Sequence, residues 1–466
     1  MINQDTASSL LTLARSRGAD FAELYVERWK KRSLRVVKAE VAEANSGIEF
    51  GCGLRLFYGN DVVYAYTNDL SESALTELAN TLTSLRGEAG RVNAQGAGGL
   101  DFREQTAAGL HEPLRPLSSE SKGYRLERLL ELDAAAQIDS RVQQVDGRLD
   151  EWEQDVLVAN SEGVWVTDHR VRARLRALAV ASDGAETQTG VVVKGFMAGL
   201  DIFDKLPPGE AGKEAARQAL TLLTAKKAPA TTMPVVIGSG FGGVIFHEAL
   251  GHLVETTSVA KGASVLSDKL GEQVASPCVT YLDDGTLPHL WGSTEFDDEG
   301  AKTKRTVLIR NGVLESYMVD KLGGLKTGYE PTGSGRRQDY TFAPTSRMRN
   351  TFIAPGSTPK ADLFSGIDYG LYAKDMGGGQ VSPGTGDYNF GVREAYIIRD
   401  GQIEEPVRGA MLVGKGPDTI SKVVAVSGDL AHKGGGMCGS KSGAVPTGIG
   451  QPHLLVSELV VGGEAA

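Results

Sequence analysis

Long hydrophobic runs are missing from this chain. No apolar stretch approaches the ~18 residues of a membrane-spanning helix, so no membrane partner is expected. A basic surplus is missing too. The formal net charge is −10 over 466 residues, which argues against nucleic acid as a partner, because phosphate binding needs a basic face. Three cysteines make no disulfide framework. The first six residues lack a basic segment followed by an apolar one, so no signal peptide is expected and the expected location is cytoplasmic. Histidine is scarce, seven in all, so any clustering of it is informative. Glycine, by contrast, is plentiful at 59 residues and crowds into the second half. That pattern fits β-rich segments in which backbones approach closely. A hydrophobic content of 41% is enough for ordinary cores, and the length predicts two or three domains.

Two of the seven histidines flank a glutamate in Phe241-Gly-Gly-Val-Ile-Phe-His-Glu-Ala-Leu-Gly-His-Leu-Val-Glu255. The apolar run Pro234–Ile237 and the turn Gly238–Gly243 precede them, which reads as strand, tight turn, helix. His247, Glu248 and His252 thus point to a metal site. The familiar zinc-protease pattern H-E-x-x-H puts its histidines at i and i+4, with the Glu as general base. Here the spacing is i and i+5, about 140° apart on a regular helix. An irregular helix is therefore predicted, through either a π-type turn or a break near Gly251, whose missing Cβ tolerates both. A catalytic zinc takes three protein ligands. The residues alone leave the third open among Cys52, Cys278, Cys438, the other histidines and the carboxylates. Cys438 stands among glycines that would let a thiolate approach a metal, while Cys278 reads as a small buried residue. The same stretch also spells Gly238-x-Gly-x-x-Gly243, a dinucleotide fingerprint. Its expected second strand, ending in an acid ~20 residues on, is lacking.

The expected fold is α+β: an N-terminal α/β region with helices and a β-meander, then a β-rich C-terminal domain carrying one metal-binding helix. Residues 1–113 are expected to form an N-terminal α/β domain, 114–228 a helix-plus-meander region, and 229–466 the C-terminal domain. Helices are predicted over residues 5–17, after the N-cap Ser71, over 121–136 and over 208–226. Strands are expected over 21–27, 33–44 and 48–57, and a four-strand meander over 141–149, 151–159, 163–171 and 174–181, turning at Asp146-Gly147 and Glu162-Gly163. Residues 87–99, with five glycines, read as a linker. Asn311-Gly312 and Asp400-Gly401 mark hairpins. Two more stretches draw notice. Gly333-Ser-Gly-Arg-Arg337 reads first as a solvated turn, and second as an anchor for a carboxylate or carbonyl through Arg336 and Arg337. The run Gly377, Gly378, Gly379 reads as a strand that pairs with a substrate peptide, or as a plain loop.

Taken together, the His247–His252 motif, Gly333–Arg337, Gly377–Gln380, the segment 409–417 and Met437-Cys-Gly439 make the chain resemble the TldD/PmbA metallopeptidases, in particular the zinc-bearing TldD-type subunit. The resemblance spans nearly the whole chain. It implies one zinc ion held by His247, His252 and Cys438, with Glu248 as general base. It implies a peptidase and an assembly that is a homodimer or a heterodimer with a PmbA-type, metal-free subunit; strand addition along Gly377–Gln380 would suit unfolded or small peptides in extended form. Ser440 intervenes between Cys438-Gly439 and Lys441, a departure from that family's pattern. The rival expectation is a non-catalytic, zinc-stabilised peptide-binding or scaffold protein. That reading requires a fourth protein ligand, such as Asp429 or His432, to close the site.

Overall fold

The computed structural model describes residues 1–85, 100–382 and 384–463. The glycine-rich stretch 87–99, expected as a linker, lies outside the described residues. Strands hold 45% of residues and helices 21%, so the fold is α+β and its sheets do the positioning.

The N-terminal half is one seven-stranded sheet. Its strands are β1 (Phe21–Val37), β2 (Glu40–Tyr58), β3 (Asp61–Thr67), β4 (Arg103–Thr106), β5 (Val142–Asn160), β6 (Val164–Ser182) and β7 (Thr187–Phe196). They lie in the order β3-β2-β1-β5-β6-β4, with β7 also on β6. Because β1 pairs with β5 along its length, residues before and after the 113/114 division share one sheet. Helices α1 (Gln4–Ser16) and α2 (Glu72–Ser84) cover one stretch of it, packing on Leu24, Val26, Leu54 and Leu56. Further along, α3 (Lys122–Ala136) and α5 (Pro208–Thr224), the latter preceded by the short α4 (Ile202–Lys205), pack on Leu149, Leu175, Ala177 and Ala179.

Two sequence expectations fail here for one reason. The four-strand meander is two strands, β5 and β6, each 19 residues long, or roughly 60 Å. Asp146-Gly147 is not a turn. Gly147 runs in register opposite Ala177, and a Cβ there would sit 3.4 Å from Leu132 of α3. Leu132 and Leu129 of α3 pack beside Gly147, while Asp146 pairs with Arg35. Likewise the expected strand 33–44 contains a turn at Lys38 and Ala39, both at positive φ. Neither residue carries the Asn-Gly signal that normally marks such hairpins.

Period-2 alternation explains the odd composition of β1. Leu24 and Val26 face the helices, so Glu23, Tyr25 and Glu27 face the other way, and all three are buried. The C-terminal half covers that second face. Glu23 binds Arg55 at 2.6 Å and Arg337 at 2.7 Å, and Arg55 also binds Glu299 at 2.7 Å. Arg170 holds Asp298 at 2.6 Å. Side chains that read as surface charge are the internal joint between the two halves.

The C-terminal half contains an eight-stranded and a six-stranded sheet. In the larger, Tyr369–Val381 pairs with both Thr231–Ile237 and Asp387–Arg399, so part of the sheet closes on itself. The smaller ends on the ribbon Gly443–Gln451 and Ala431–Ser440. Between the sheets lies the main apolar core, to which Val235 and Ile237 contribute from one side and Tyr281, Ile353 and Ile449 from the other. Among the described residues, no helix is long and apolar enough to cross a membrane.

Replacing Glu23 with Gln would take the ion-pair partner from the buried Arg337 and leave Arg55 with Glu299 alone. Loss of one partner of a buried pair costs about 3–5 kcal/mol. Urea unfolding of the Glu23→Gln protein is expected to show a drop of that size, and a drop below about 1 kcal/mol would contradict the joint's role.

Candidate metal centre

The strand Thr231–Ile237 runs into Gly238, turns through Gly240 at φ 77°, and opens α6 (Val244–Ala249). This helix stops at Leu250, whose φ of −132° leaves the helical region, and a tight 3₁₀ turn, Gly251–Val254, follows. The backbone therefore does deviate between His247 and His252, by a break and not by a π-turn. The break is anchored by burial. Ile245, Phe246, Ala249, Leu250 and Leu253 are all fully buried in the main core.

Gly251 has a role different from the one read in the sequence. A Cβ there would lie 2.2 Å from Met348 Sδ and 3.2 Å from the Tyr281 hydroxyl. The position demands a glycine for space, not for an unusual dihedral. Of the glycines before Cys438, Gly434 is likewise needed for space, while Gly435 sits at φ 104°. A Cβ on Gly434 would meet the Gly195 carbonyl at 2.3 Å and Trp291 at 2.5 Å. Gly434 lets the ribbon pass β7 and Trp291, and does not clear space around the thiolate.

The break turns both imidazoles toward one point. His247, His252 and Cys438 each present a ligand atom, all within 4.8 Å of one another and all on buried residues. His252 Nε2 lies 3.3 Å from Cys438 Sγ. Atoms bound at about 2.0–2.3 Å to one tetrahedral ion stand roughly 3.3–3.6 Å apart, so the His252–Cys438 separation suits such an ion. The outer ring nitrogens are occupied. His247 Nδ1 is 3.1 Å from the Thr351 hydroxyl, and His252 Nδ1 is 3.0 Å from Glu255 Oε2. These partners leave each Nε2 for the cluster, as outer contacts orient the histidines of metal sites.

The electrostatics agree with the donor chemistry. Burial pushes the Cys438 thiol up, but the His247 charge and hydrogen bonds from both histidines outweigh it and bring the thiol to about 5. Cys52, under α1 and α2, has no such neighbours, and burial pushes it to about 12. Cys278 is exposed, contrary to expectation, and lies against Ser276 and the Val423 carbonyl. Burial would raise the Glu248 carboxyl, yet the His252 hydrogen bond and the His247 charge hold it below its ordinary value. Glu248 Oε2 lies 3.5 Å from His252 Nε2.

Other expected residues lie elsewhere. Asp429 binds His453 at 2.7 Å, and His432 packs on the Phe352 ring at 4.9 Å. Neither joins the cluster. Lys441 occupies the turn beyond the ribbon strand that carries Cys438. Arg336 and Arg337 do not form a solvated turn; they are 4% exposed. Arg336 Nη2 donates to the Pro446 carbonyl at 2.7 Å, and Arg337 binds Glu23 and lies 4.1 Å over the Tyr25 ring. Backbone carbonyls hold Arg336 inside, and a carboxylate and a ring hold Arg337. Gly377, Gly378 and Gly379 are strand, not loop. A Cβ on Gly379 would collide with the Asn389 carbonyl at 2.2 Å, so the bare backbone meets the chain's own strand Asp387–Arg399. The other edge is paired with Thr231–Ile237 only over Leu371–Ala373. Sequence reasoning missed Glu255 and Thr351. Glu255 had a signal, its i+3 spacing from His252; Thr351, 104 residues from His247, had none.

Three family models cover the chain: PmbA/TldA metallopeptidase domain 1 over residues 22–86, the central domain over 113–223, and the C-terminal domain over 230–463. A protein of Haemophilus influenzae described as a metalloprotease TldD homolog is 34% identical over 99% of this chain and 97% of its own length. The chain belongs to the PmbA/TldD metallopeptidase family. A protein of Methanothermobacter thermautotrophicus described as a metalloprotease is 32% identical over 99% of both chains. The solved structure of TldE from Thermococcus kodakarensis shares the fold at a TM-score of 0.78 and 18% identity, covering 98% of this chain and all of that one. Membership in this family and the relatives' descriptions imply a metal-dependent peptidase.

Gly251→Ala is expected to destabilise this TldD-type chain by about 1–3 kcal/mol, the usual cost of overpacking a core. Pairing it with Met348→Ala should recover most of that loss in thermal unfolding. Equal losses in the single and double variants would refute the steric reading.

Proposed function

We propose that this chain is a zinc-dependent peptidase that hydrolyses unfolded or small peptides held in extended form, with residues 229–466 as its catalytic domain. The observation that carries the reading is the convergence of His247, His252 and Cys438 with Glu248 beside them. Two imidazole nitrogens and a thiolate suit zinc, whose catalytic sites keep three protein ligands and one open position. A zinc ion held by these three residues would supply a Lewis acid for the scissile carbonyl and lower the pKa of a bound water.

The chain's own residues do the remaining work. Glu248 faces the cluster from the exposed side, with 30% of its side chain open to solvent. As a carboxylate it accepts the proton of the attacking water and returns it to the nitrogen of the leaving amine. Glu255 and Thr351 hold the imidazoles in the orientation that leaves both Nε2 atoms free. A peptide fits as an added strand along the open edge of Lys374–Val381, through backbone hydrogen bonds that read little sequence. A closed structural site would need a fourth protein ligand, and neither Asp429 nor His432 reaches the cluster. By family resemblance the working unit is a dimer, with itself or with a PmbA-type subunit; the cysteine usage suits the cytoplasm.

Glu248→Gln should keep its metal and cleave peptides about 10²–10⁴-fold more slowly, the usual worth of general acid–base catalysis. Cleavage at the parent rate would remove Glu248 from the reaction. Cys438→Ser should lose zinc on dialysis, while Cys52→Ser and Cys278→Ser retain it. Equal retention in all three would remove cysteine from the site.

A further inference from the structure

A cavity of about 250 Å³ lies between the N-terminal sheet and the C-terminal half. It is separate from the metal cluster. Met437 lines it and Cys438 does not; neighbouring residues of one strand face opposite ways, so the cavity lies behind the strand whose front carries the thiolate. Trp29 of β1 and Trp152 of β5 form part of its wall.

Its charge is unbalanced. Six cationic side chains line it against two acidic ones, Asp298 and Asp339. Three of the cations are matched: Arg170 by Asp168 and Asp298, Arg337 by Glu23, and Lys31 by Glu49. Arg172, Arg336 and Arg349 are not. All three are at least 96% buried, at 3%, 4% and 2% exposure. Their hydrogen-bond partners are neutral oxygens: the Trp291 and Ser293 carbonyls for Arg172, those of Met348 and Pro446 for Arg336, and the Gly333 carbonyl and Thr294 hydroxyl for Arg349. Among the described residues, Arg349 Nη2 and Arg337 Nε have no hydrogen-bond partner. Guanidinium groups stay protonated in proteins, and a buried charge without a counter-charge is costly. Burial, then the nearby Arg170 charge, presses Arg172 down to about 9. Burial and Arg349 likewise lower Arg336. Asp297, Asp298 and Asp283 only partly offset the burial of Arg349.

We propose that this cavity binds a small oxyanion, a carboxylate or phosphate group, between Arg172, Arg336 and Arg349. Planar guanidinium forks match such oxygens two at a time. The cavity has an open side, since Met437 is 46% exposed and the Lys31 side chain 38%. The occupant is either a free anion such as inorganic phosphate or an acidic residue of a peptide.

The test uses the full-length protein at constant ionic strength, so that screening does not vary. Tryptophan emission and thermal unfolding are followed against inorganic phosphate in one arm. In the other arm the ligand is an aspartate-containing peptide, with its asparagine counterpart as control. Saturable binding in either arm is expected, at least tenfold weaker in Arg172→Met and in Arg336→Met. Binding should persist in Cys438→Ser, which separates this site from the peptidase reading. Phosphate binding alone identifies a free anion, and peptide binding alone a pocket for acidic residues. Without ligand, Arg172→Met should unfold no earlier than the parent, because an apolar side chain replaces an uncompensated buried charge. Absence of saturation in both arms, or unchanged binding in both variants, would overturn the proposal.

Discussion

The 3.3 Å approach of His252 Nε2 to Cys438 Sγ joins residues 186 positions apart, and much of the C-terminal half is arranged to permit it. One partner sits on a broken helix buried between two sheets, the other on an edge ribbon of the smaller sheet. For the two to meet, α6 must stop at Leu250, Gly251 must clear Met348, and the ribbon must pass closely over β7 and Trp291. Each condition is met by the absence of a side chain or by the burial of an apolar one. At Gly251 and Gly434, glycine thus has a specific cause: backbone must run close to backbone and to large side chains around the cluster.

Buried charge organises the other half of the molecule. The long strands β1, β5 and β6 turn an apolar face to the helices and a charged face to the C-terminal half. Glu23, Arg55, Glu299 and Arg337 form a matched network there. Arg172, Arg336 and Arg349, a few residues away, are left unmatched around the interdomain cavity. The same interface therefore contains a satisfied region that holds the halves together and an unsatisfied one that attracts an anion.

Much of this was legible in the sequence where the signal is local. The helix cap at Ser71, the helix over 121–136, the Asn311-Gly312 and Asp400-Gly401 hairpins, and the strand-turn-helix around His247 all depend on neighbouring residues. The deviation between His247 and His252 followed from helix geometry alone. What was not legible depends on contacts between distant segments. Asp146-Gly147 looks like a turn until Leu132 is seen packing on the glycine. Arg337 looks solvated until Glu23, 314 residues away, faces it, and Arg336 until the Met348 and Pro446 carbonyls receive it. Thr351 carried no signal because its role exists only once its strand lies beside α6.

The central claim is that a zinc ion at His247, His252 and Cys438 is needed for peptide hydrolysis. The most direct measurement is a chelation and reconstitution series on the purified full-length protein, with an unstructured peptide as substrate and the partner subunit present if one co-purifies. The account predicts that activity falls to background when zinc is removed and returns with one equivalent of zinc per chain, while the fold by circular dichroism stays intact. Cleavage that survives complete removal of zinc from a folded protein would contradict it.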